Sequence, residues 1–367
     1  MQLTDWLPPE FSAVSQIALL IAAQEAQSGQ HVTIIGLSTY SRSIERHAHG
    51  SGSVEIVAVQ RPPFERKTWL KRLAWTVVTN VALVIRAWPY LRQCEKVRFT
   101  GSPPFLIYLL VPSNLVLRKQ LVYRITDFYP ECIIAAVKRK HWLLDGFQAL
   151  TNFLRRRVHA FEVLGHDMRE RLLGCGIDAN RITLRRDWSP VVVGADTSPA
   201  PRPDEFRGRK FILYSGNWGA AHDIDTFFEG YRLHHQHGMA NVILWLNATG
   251  SGADEIDARL RVAKLPFIRQ KLVPLEDLPH LLVAPDAHLL TLRTEFMGLV
   301  LPSKIYGCIA SRRPILFVGP RGSDVHQLCL ADAGLQYVQV DVGEPERVKS
   351  ALDALGSGGK RFWRAAA

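Results

Sequence analysis

Apolar residues fall in short runs separated by polar stretches bearing Gly and Pro, and the character of the runs alternates between strand and helix. Leu3–Trp6 reads as the tail of a strand that runs at once into the loop Leu7-Pro8-Pro9-Glu10-Phe11-Ser12-Ala13. Val14–Ser28 reads as a helix, closed by Gly29 where a left-handed residue commonly ends one. His31–Leu37 (HVTIIGL) has the unbroken apolar character of a buried strand. Strand, loop, helix, Gly, strand is a βαβ unit, and it begins a parallel sheet.

The alternation continues. Strands at Val54–Val59, Lys96–Thr100, Gln120–Ile125, Ala160–Leu164 and Ile182–Arg185 interleave with helical stretches at 68–92, 136–157 and His166–Leu173. Residues 194–209 (GADTSPAPRPDEFRGR), with three prolines and little apolar content, read as a linker. A second series follows: strands at Lys210–Ser215, Asn241–Leu246, Ile268–Leu272, Ala287–Leu292, Pro314–Val318 and Leu335–Val340, with helices at Asp223–His237, 253–263, Leu275–Val283, Ser303–Ser311 and Val325–Ala333. The fold class is α/β: two Rossmann-like βαβ lobes, 1–193 and 210–367, enclosing a cleft at the carboxyl ends of their strands.

Composition agrees with two cores. The chain has 367 residues, 47% hydrophobic and 22% charged, enough to bury a core in each half. Forty-five basic against 34 acidic residues leave a surplus of +11, which favours nucleic acid, anionic lipid or a phosphate-bearing substrate. No nucleic-acid recognition motif accompanies the charge, so nucleic acid is not an expected partner. The five cysteines are scattered without a CxxC, which fits a reducing cytosol better than a zinc site or disulfide framework. The N-terminus carries no basic stretch followed by an apolar one, so a signal peptide is not expected.

Two apolar runs, Ala74–Ile85 and Pro104–Leu117, are broken by polar residues before the roughly 20 that a membrane-spanning helix needs. Around the first, Trp69, Lys71, Arg72, Trp75, Arg86 and Trp88 mix aromatic and basic side chains. That mixture suits either contact with a membrane surface or an ordinary buried helix with a charged edge.

Two segments of the second lobe carry the most chemistry. After strand 210–215 comes Gly216-Asn217-Trp218-Gly219-Ala220-Ala221. A Gly-rich turn between strand and helix exposes backbone N–H groups near a positive helix end, which is how a diphosphate is held without a metal. The plainer alternative is a tight turn needing Gly for its dihedrals. The second segment is Leu299-Val300-Leu301-Pro302-Ser303-Lys304-Ile305-Tyr306-Gly307. Pro302 suits the first helical position and Ser303 a capping role. Lys304 then lies near a positive helix end, a conflict that a bound anion relieves, unless the side chain simply reaches solvent.

These segments resemble the retaining, metal-independent glycosyltransferases of family four, which have the GT-B fold. The resemblance spans nearly the whole chain: Asp5 to Gln16 at the first loop, Thr100-Gly101-Ser102-Pro103-Pro104, Asp127-Phe128-Tyr129-Pro130-Glu131, YSGNWGAAHD and LPSKIYGCIASRRPIL. The last two are similar to the donor loops of the branch that builds bacterial exopolysaccharide, capsule and O-antigen. The resemblance implies sugar transfer from a nucleotide-sugar to a glycan or lipid-diphosphate-linked acceptor, with no metal or other cofactor. The scattered cysteines make a cytoplasmic protein the expectation, and the basic surplus with the aromatic–basic 69–88 region suits a lipid-diphosphate-linked acceptor met peripherally at the inner face of the plasma membrane. Donor contacts are expected from Gly216, Asn217, Gly219, His222, Glu295, Pro302, Ser303 and Lys304, and acceptor-side contacts from Ser12, Ala13, Gln16 and Ser102. Asp127 and His166, at ends of first-lobe strands, are candidates for contact with sugar or acceptor, or for plain loop capping and surface exposure.

Several positions depart from the family pattern. Asn217 and His222 stand where many members carry an Arg and a Lys on the donor diphosphate, and Gly307 stands where many carry a Glu on the ribose. Ser12-Ala13 replaces paired glycines. Lys304 is expected to supply the missing positive charge, and Ser303 or Glu295 part of the ribose contact. Members usually end in a helix that crosses back to the first lobe, and the ending Phe362-Trp363-Arg364-Ala365-Ala366-Ala367 is expected to shorten it. Asp223-Ile224-Asp225 imitates a metal-binding DxD, but Asp at a helix start is favoured by the dipole. His234, His235 and His237 likewise suit a helix end better than a metal. A catalytically silent homologue acting as partner or scaffold stays open, as does a sugar-nucleotide epimerase of the same architecture, for which no clustered carboxylates speak.

Overall fold

In the computed structural model the described residues are 1–8, 12–40, 43–62, 69–137, 142–359 and 363, without the side chains of Ala13, Trp69, Leu70 and Arg72. Pro9-Glu10-Phe11 of the first loop therefore lies outside the described residues, as do most of the final positions on which the shortened last helix was expected. The chain divides into two compact units, Met1–Arg186 and Asp187–Ala367.

The first unit runs β1 (Gln2–Trp6), α1 (Ala13–Gln27), β2 (His31–Ser38), β3 (Ile44–His49), β4 (Gly52–Gln60), α2 (Trp69–Gln93), β5 (Lys96–Thr100), α3 (Ile107–Leu117), β6 (Gln120–Ile125), α4 (Glu131–Val137), α5 (Trp142–Arg155), β7 (Ala160–Val163), α6 (His166–Gly174) and β8 (Ile182–Leu184). Its sheet has the order β3-β4-β2-β1-β5-β6-β7-β8. All pairings are parallel except the hairpin of β3 with β4. That hairpin escapes a hydrophobic reading because β3 is exposed along most of its length. Of the helical stretch 136–157, α4 covers the start and α5 residues 142–155, with 138–141 outside the described residues, and α3 occupies the run around Pro112.

The second unit runs β9 (Lys210–Asn217), α7 (Asp225–His237), β10 (Val242–Thr249), α8 (Ser251–Val262), β11 (Phe267–Gln270), α9 (Leu278–Val283), β12 (Ala287–Thr291), α10 (Lys304–Ala310), β13 (Ile315–Val318), α11 (Asp324–Ala331), β14 (Tyr337–Val340) and α12 (Pro345–Gly356). Its sheet, β11-β10-β9-β12-β13-β14, is parallel throughout. The order reverses beside β9, from which the chain steps outward first through β10 and then through β12. Such a reversal is where open α/β sheets bind ligands, outside the strands' carboxyl ends.

Helix α12, which the hydrophobic pattern did not announce, packs against α7. A Cβ on Gly230 would lie 2.4 Å from that of Val348, so the two helices meet at a glycine. His234 is buried in this contact and donates from Nδ1 to Asp353 at 2.6 Å, while its Nε2 accepts from the Val242 N–H. His235 bonds the Val242 carbonyl. The histidine cluster thus clasps helix to strand. The stretch 194–209 lies along the second unit, with Arg202 on Asp286 at 3.0 Å and Phe206 against the apolar cluster around Phe211 and Trp245.

Candidate functional site

Strand β9 carries the donor-side candidates to its carboxyl end. Its register against β10 pairs Gly216 with Ala248 and Asn217 with Thr249, and Trp218 then donates its N–H to the Thr249 carbonyl at 2.7 Å. Gly216 has φ +108°, a dihedral that suits glycine. Trp218 is fully buried and stacks on Tyr214 at 3.8 Å between ring centroids. The loop can come this close because Gly250 and Gly252 carry no Cβ. At Gly250 one would lie 2.7 Å from the Trp218 carbonyl oxygen, and at Gly252 2.8 Å from the same atom. Neither glycine nor Trp218 stood out in the sequence, although Gly250-Ser251-Gly252 after a strand was a usable signal.

Lys304 is the first residue of α10, one position after the site expected for the helix start. Pro302 is buried ahead of the helix, and Ser303 is exposed with no side-chain capping bond, so its capping role is not met. The Lys304 ammonium lies 3.4 Å from the centroid of the Tyr214 ring and donates to the Asn217 carbonyl at 3.5 Å. Among the described residues it has no carboxylate partner. Burial pulls its pKa down to about 7. Gly216, Asn217 and Lys304, far apart in sequence, thus form one cluster around a half-buried cation.

His222 joins the cluster differently. Its Nδ1 lies 2.6 Å from the Thr291 carbonyl, which can only accept, so the proton sits on Nδ1 and Nε2 offers a lone pair. Burial first, and Lys304 second, lower its pKa to about 3. The ring is neutral and brings no positive charge to an anion. Gly219 lies within the same loop, with its absent Cβ 3.3 Å from Asn217 Nδ2.

Glu295 sits in a single turn after β12, its carboxylate 3.5 Å from Arg293 Nη2. Arg293 in turn donates its backbone N–H to the Ala221 carbonyl at 2.8 Å and a guanidinium N–H to Ala220 at 3.2 Å. This arginine, not anticipated from sequence, fastens the 216–221 loop to the 293–295 turn. Gly307 is buried, and a Cβ there would lie 3.1 Å from Leu282 Cδ1, so a side chain at this position needs the leucine to give way. Of the DxD-like pair, Asp223 accepts from the Thr226 N–H and Asp225 pairs with Arg259.

The first unit gathers its own candidates at the ends of β1, β5 and β6. Asp5 is the hub: Oδ1 accepts from Ser12 Oγ at 2.6 Å and Oδ2 from Ser102 Oγ at 2.8 Å. Ser12 caps α1 by accepting from the Ser15 N–H. Gln16, one turn on, has a buried Oε1 with no hydrogen-bond partner among the described residues. Ala13 begins α1. Asp127 follows β6, with Thr126 Oγ1 donating to it at 3.3 Å. Burial raises the pKa of Asp5 to about 6, and burial and then the Asp5 charge raise that of Asp127 to about 6. The loop below is pinned by the buried pair of Glu131 and Arg155, whose Nη2 also donates to the Tyr129 carbonyl at 3.0 Å. His166 opens α6 just after β7, the strand next to β6, with its side chain exposed. Asp5 was quoted within a motif but not expected as a site residue, because its partner Ser102 is 97 positions away.

Comparison with known proteins bears on the fold. No known family profile matches the chain. The probable glycosyltransferase WbjE of Pseudomonas aeruginosa is 23% identical over 239 residues, covering 62% of this chain and 58% of that protein. The chain thus matches less than two thirds of that relative's length. Among solved structures, Anabaena Alr3699/HepE in complex with UDP and glucose has a TM-score of 0.63 at 12% identity, covering 99% of this chain and 92% of that one. The E. coli trehalose-6-phosphate protein bound with UDP-2-fluoro glucose has a TM-score of 0.62 at 12% identity, covering 99% and 93%. WaaG, a glycosyltransferase involved in lipopolysaccharide biosynthesis, has 0.62 at 12%, covering 99% and 92%. These likenesses show that the fold is GT-B.

Proposed function

We propose that this chain is a glycosyltransferase that moves a sugar from a nucleotide-sugar to a glycan acceptor in surface-polysaccharide synthesis. The observation that carries the proposal is Lys304: a half-buried ammonium at a glycine turn and a helix start, without a carboxylate partner among the described residues. Such a cation is incomplete without an anion, and a donor diphosphate supplies one. WbjE's description as a probable glycosyltransferase supports the activity, and the UDP and UDP-sugar complexes of the structural neighbours make uridine nucleotides the first donors to test.

In this scheme the Lys304 ammonium and the N–H groups of the 216–221 loop stabilise the charge that develops on the leaving diphosphate. The sugar's anomeric carbon loses its bond to the diphosphate oxygen, which keeps the electron pair, and gains one to the acceptor hydroxyl on the same face. The acceptor's proton passes to the departing phosphate oxygen or to water. Same-face attack makes the transfer retaining, and the lysine does what a divalent cation does elsewhere, so the reaction needs no metal. The acceptor is lipid-diphosphate-linked and is met at the inner face of the membrane. The cluster of Asp5, Ser12, Gln16, Ser102 and Asp127 offers hydroxyl, amide and carboxyl groups to it.

A second reading is a homologue that no longer transfers. Neutral His222 and the crowded Gly307 favour it, because each stands where the family pattern has a charged donor contact. The test is release of nucleoside diphosphate from a panel of nucleotide-sugars, with lipid extracts as acceptor and with EDTA. Acceptor-dependent release that survives EDTA supports the proposal. Tight donor binding without release supports the silent homologue.

A further inference from the structure

Helix α2 is built inside out for a helix on a soluble surface. Its buried side carries Thr76, Thr79 and Asn80 beside Leu83, Ala87 and Leu91. Its exposed side carries Leu73, Val77, Val78, Val81, Ile85 and Trp88, with Ile85 68% exposed. The exposed residues recur at spacings of about four, which places them along one stripe of the helix. A surface helix ordinarily turns such a stripe inward. Here the inward side is already occupied: Asn80 Nδ2 donates to the Pro104 carbonyl at 2.7 Å, which fixes the rotation of the helix.

The stripe continues beyond α2. Lys119 Nζ donates to the Arg92 carbonyl at 3.1 Å, so the turn after α3 lies beside the carboxyl end of α2. Leu115 and Val116, in the last turn of α3, are 70% and 80% exposed. Neither helix contains an acidic residue. Arg92 and Arg118 are exposed at this end. Between Glu65 and Asp127 the sequence has one acidic residue, Glu95.

The net charge follows the same division. Residues 1–186 hold 25 Lys and Arg against 14 Asp and Glu, whereas residues 187–367 hold 20 of each. The whole surplus of +11 belongs to the unit with the apolar stripe. No described helix is long and apolar enough to cross a membrane, so the stripe has no spanning role.

We infer that the α2 stripe, extended by the end of α3, docks the first unit onto an anionic phospholipid bilayer. The apolar side chains enter the boundary between headgroups and acyl chains, and the basic residues meet the lipid phosphates. A bilayer fits better than a protein partner because the stripe lies in a stretch, 66–126, with Glu95 as its one acidic residue, within a unit that carries the whole net positive surplus, as an extended anionic surface requires. The lipid-linked acceptor of the proposed function gives this docking its purpose, but the surface is read from exposure and charge alone.

The test is flotation of the full chain with vesicles of phosphatidylcholine, and with vesicles that also contain phosphatidylglycerol. We expect binding to the anionic vesicles that weakens as salt rises. The triple variant V77E/V81E/I85E should lose about tenfold or more of that binding, as expected when three apolar side chains no longer enter the bilayer. Arg92→Glu with Arg118→Glu, which leaves the stripe intact, should weaken binding too, and decides alone if the triple variant does not fold. Nucleoside-diphosphate binding should be unchanged in both, so failure here and failure of the donor proposal are separable. Equal flotation of wild type and variants overturns the inference, as does absence of binding to anionic vesicles. A dimer that the triple variant splits, without vesicle binding, assigns the stripe to a second copy and overturns it equally.

Discussion

The Lys304 ammonium lies 3.4 Å from the centroid of the Tyr214 ring, joining the first turn of α10 to the end of β9. The ring's negative face offsets the charge that the helix start repels, which lets a lysine remain half-buried there without a carboxylate. Tyr214 is itself fixed by stacking on buried Trp218. The cation is therefore held in place before any ligand arrives, and its properties lead to the first two expectations.

Without ligand, Lys304 should make the stability of the protein rise with pH. Its folded pKa of about 7 lies below the unfolded value, so the folded state binds fewer protons than the unfolded state between about 7 and about 10.4. The contribution grows through that window and is absent well below it. Lys304→Met should flatten the slope of melting temperature against pH between 7 and 10, relative to wild type. Identical slopes would show that the ammonium is solvated.

Affinity for a nucleotide-sugar, whose diphosphate does not titrate near neutrality, should fall as pH rises above about 7, by up to about tenfold per pH unit. The bound anion raises the lysine's pKa in the complex, and that higher value marks where the fall ends. Lys304→Arg, which stays charged at every pH used, should bind with little pH dependence. Calorimetric titration from pH 6 to 9.5 would settle it; a flat wild-type profile counts against contact between ammonium and diphosphate.

Asp127 shows the opposite sign. Its pKa is raised to about 6, so its protonated form contributes stability that is fully present below about 3.9 and lost as pH rises through 6. Asp127→Asn should melt higher than wild type at pH 7.5 and alike at pH 4. If the carboxyl also contacts the acceptor, the same variant should lose transfer at pH 7.5 despite its added stability. A lower melting temperature at pH 7.5 would mean that the ionised carboxylate is held by favourable contacts.

Gly250 admits the 216–221 loop. Its φ is +101°, and a Cβ added there would lie only 2.3 Å from Asn217 Oδ1, so Gly250→Ala should cost about 2 kcal/mol or more. It should also weaken donor binding, because the 217–218 backbone must move. A variant with unchanged melting and binding would show that the loop adapts freely.

Much of this fold could be read from sequence because its strands are buried on both faces. HVTIIGL and KFILYS are continuous apolar runs that need no contact information. Strand β3 could not be read this way, since Ile44–His49 is exposed and polar and is specified by its pairing with β4. The site divides similarly. Gly216 and Lys304 were visible because each is locally unusual, one by its turn and the other by its place at a helix start. Asp5 and Arg293 were not, because their roles come from partners in other elements: Ser102, and the carbonyls of Ala220 and Ala221. The inversion of α2 needed the structure as well, since an apolar helix does not announce which side faces out.

The most direct test of the central claim is thermal stabilisation of wild type and Lys304→Ala by a panel of nucleoside diphosphates and nucleotide-sugars, with and without EDTA. A ligand that binds the folded state at about 100 times its Kd adds about 2.7 kcal/mol. The expected result is a shift of several degrees for one nucleotide in wild type, unchanged by EDTA and largely lost in Lys304→Ala. A shift of equal size in the variant, one abolished by EDTA, or none with any nucleotide would contradict a donor diphosphate held by Lys304 without a metal.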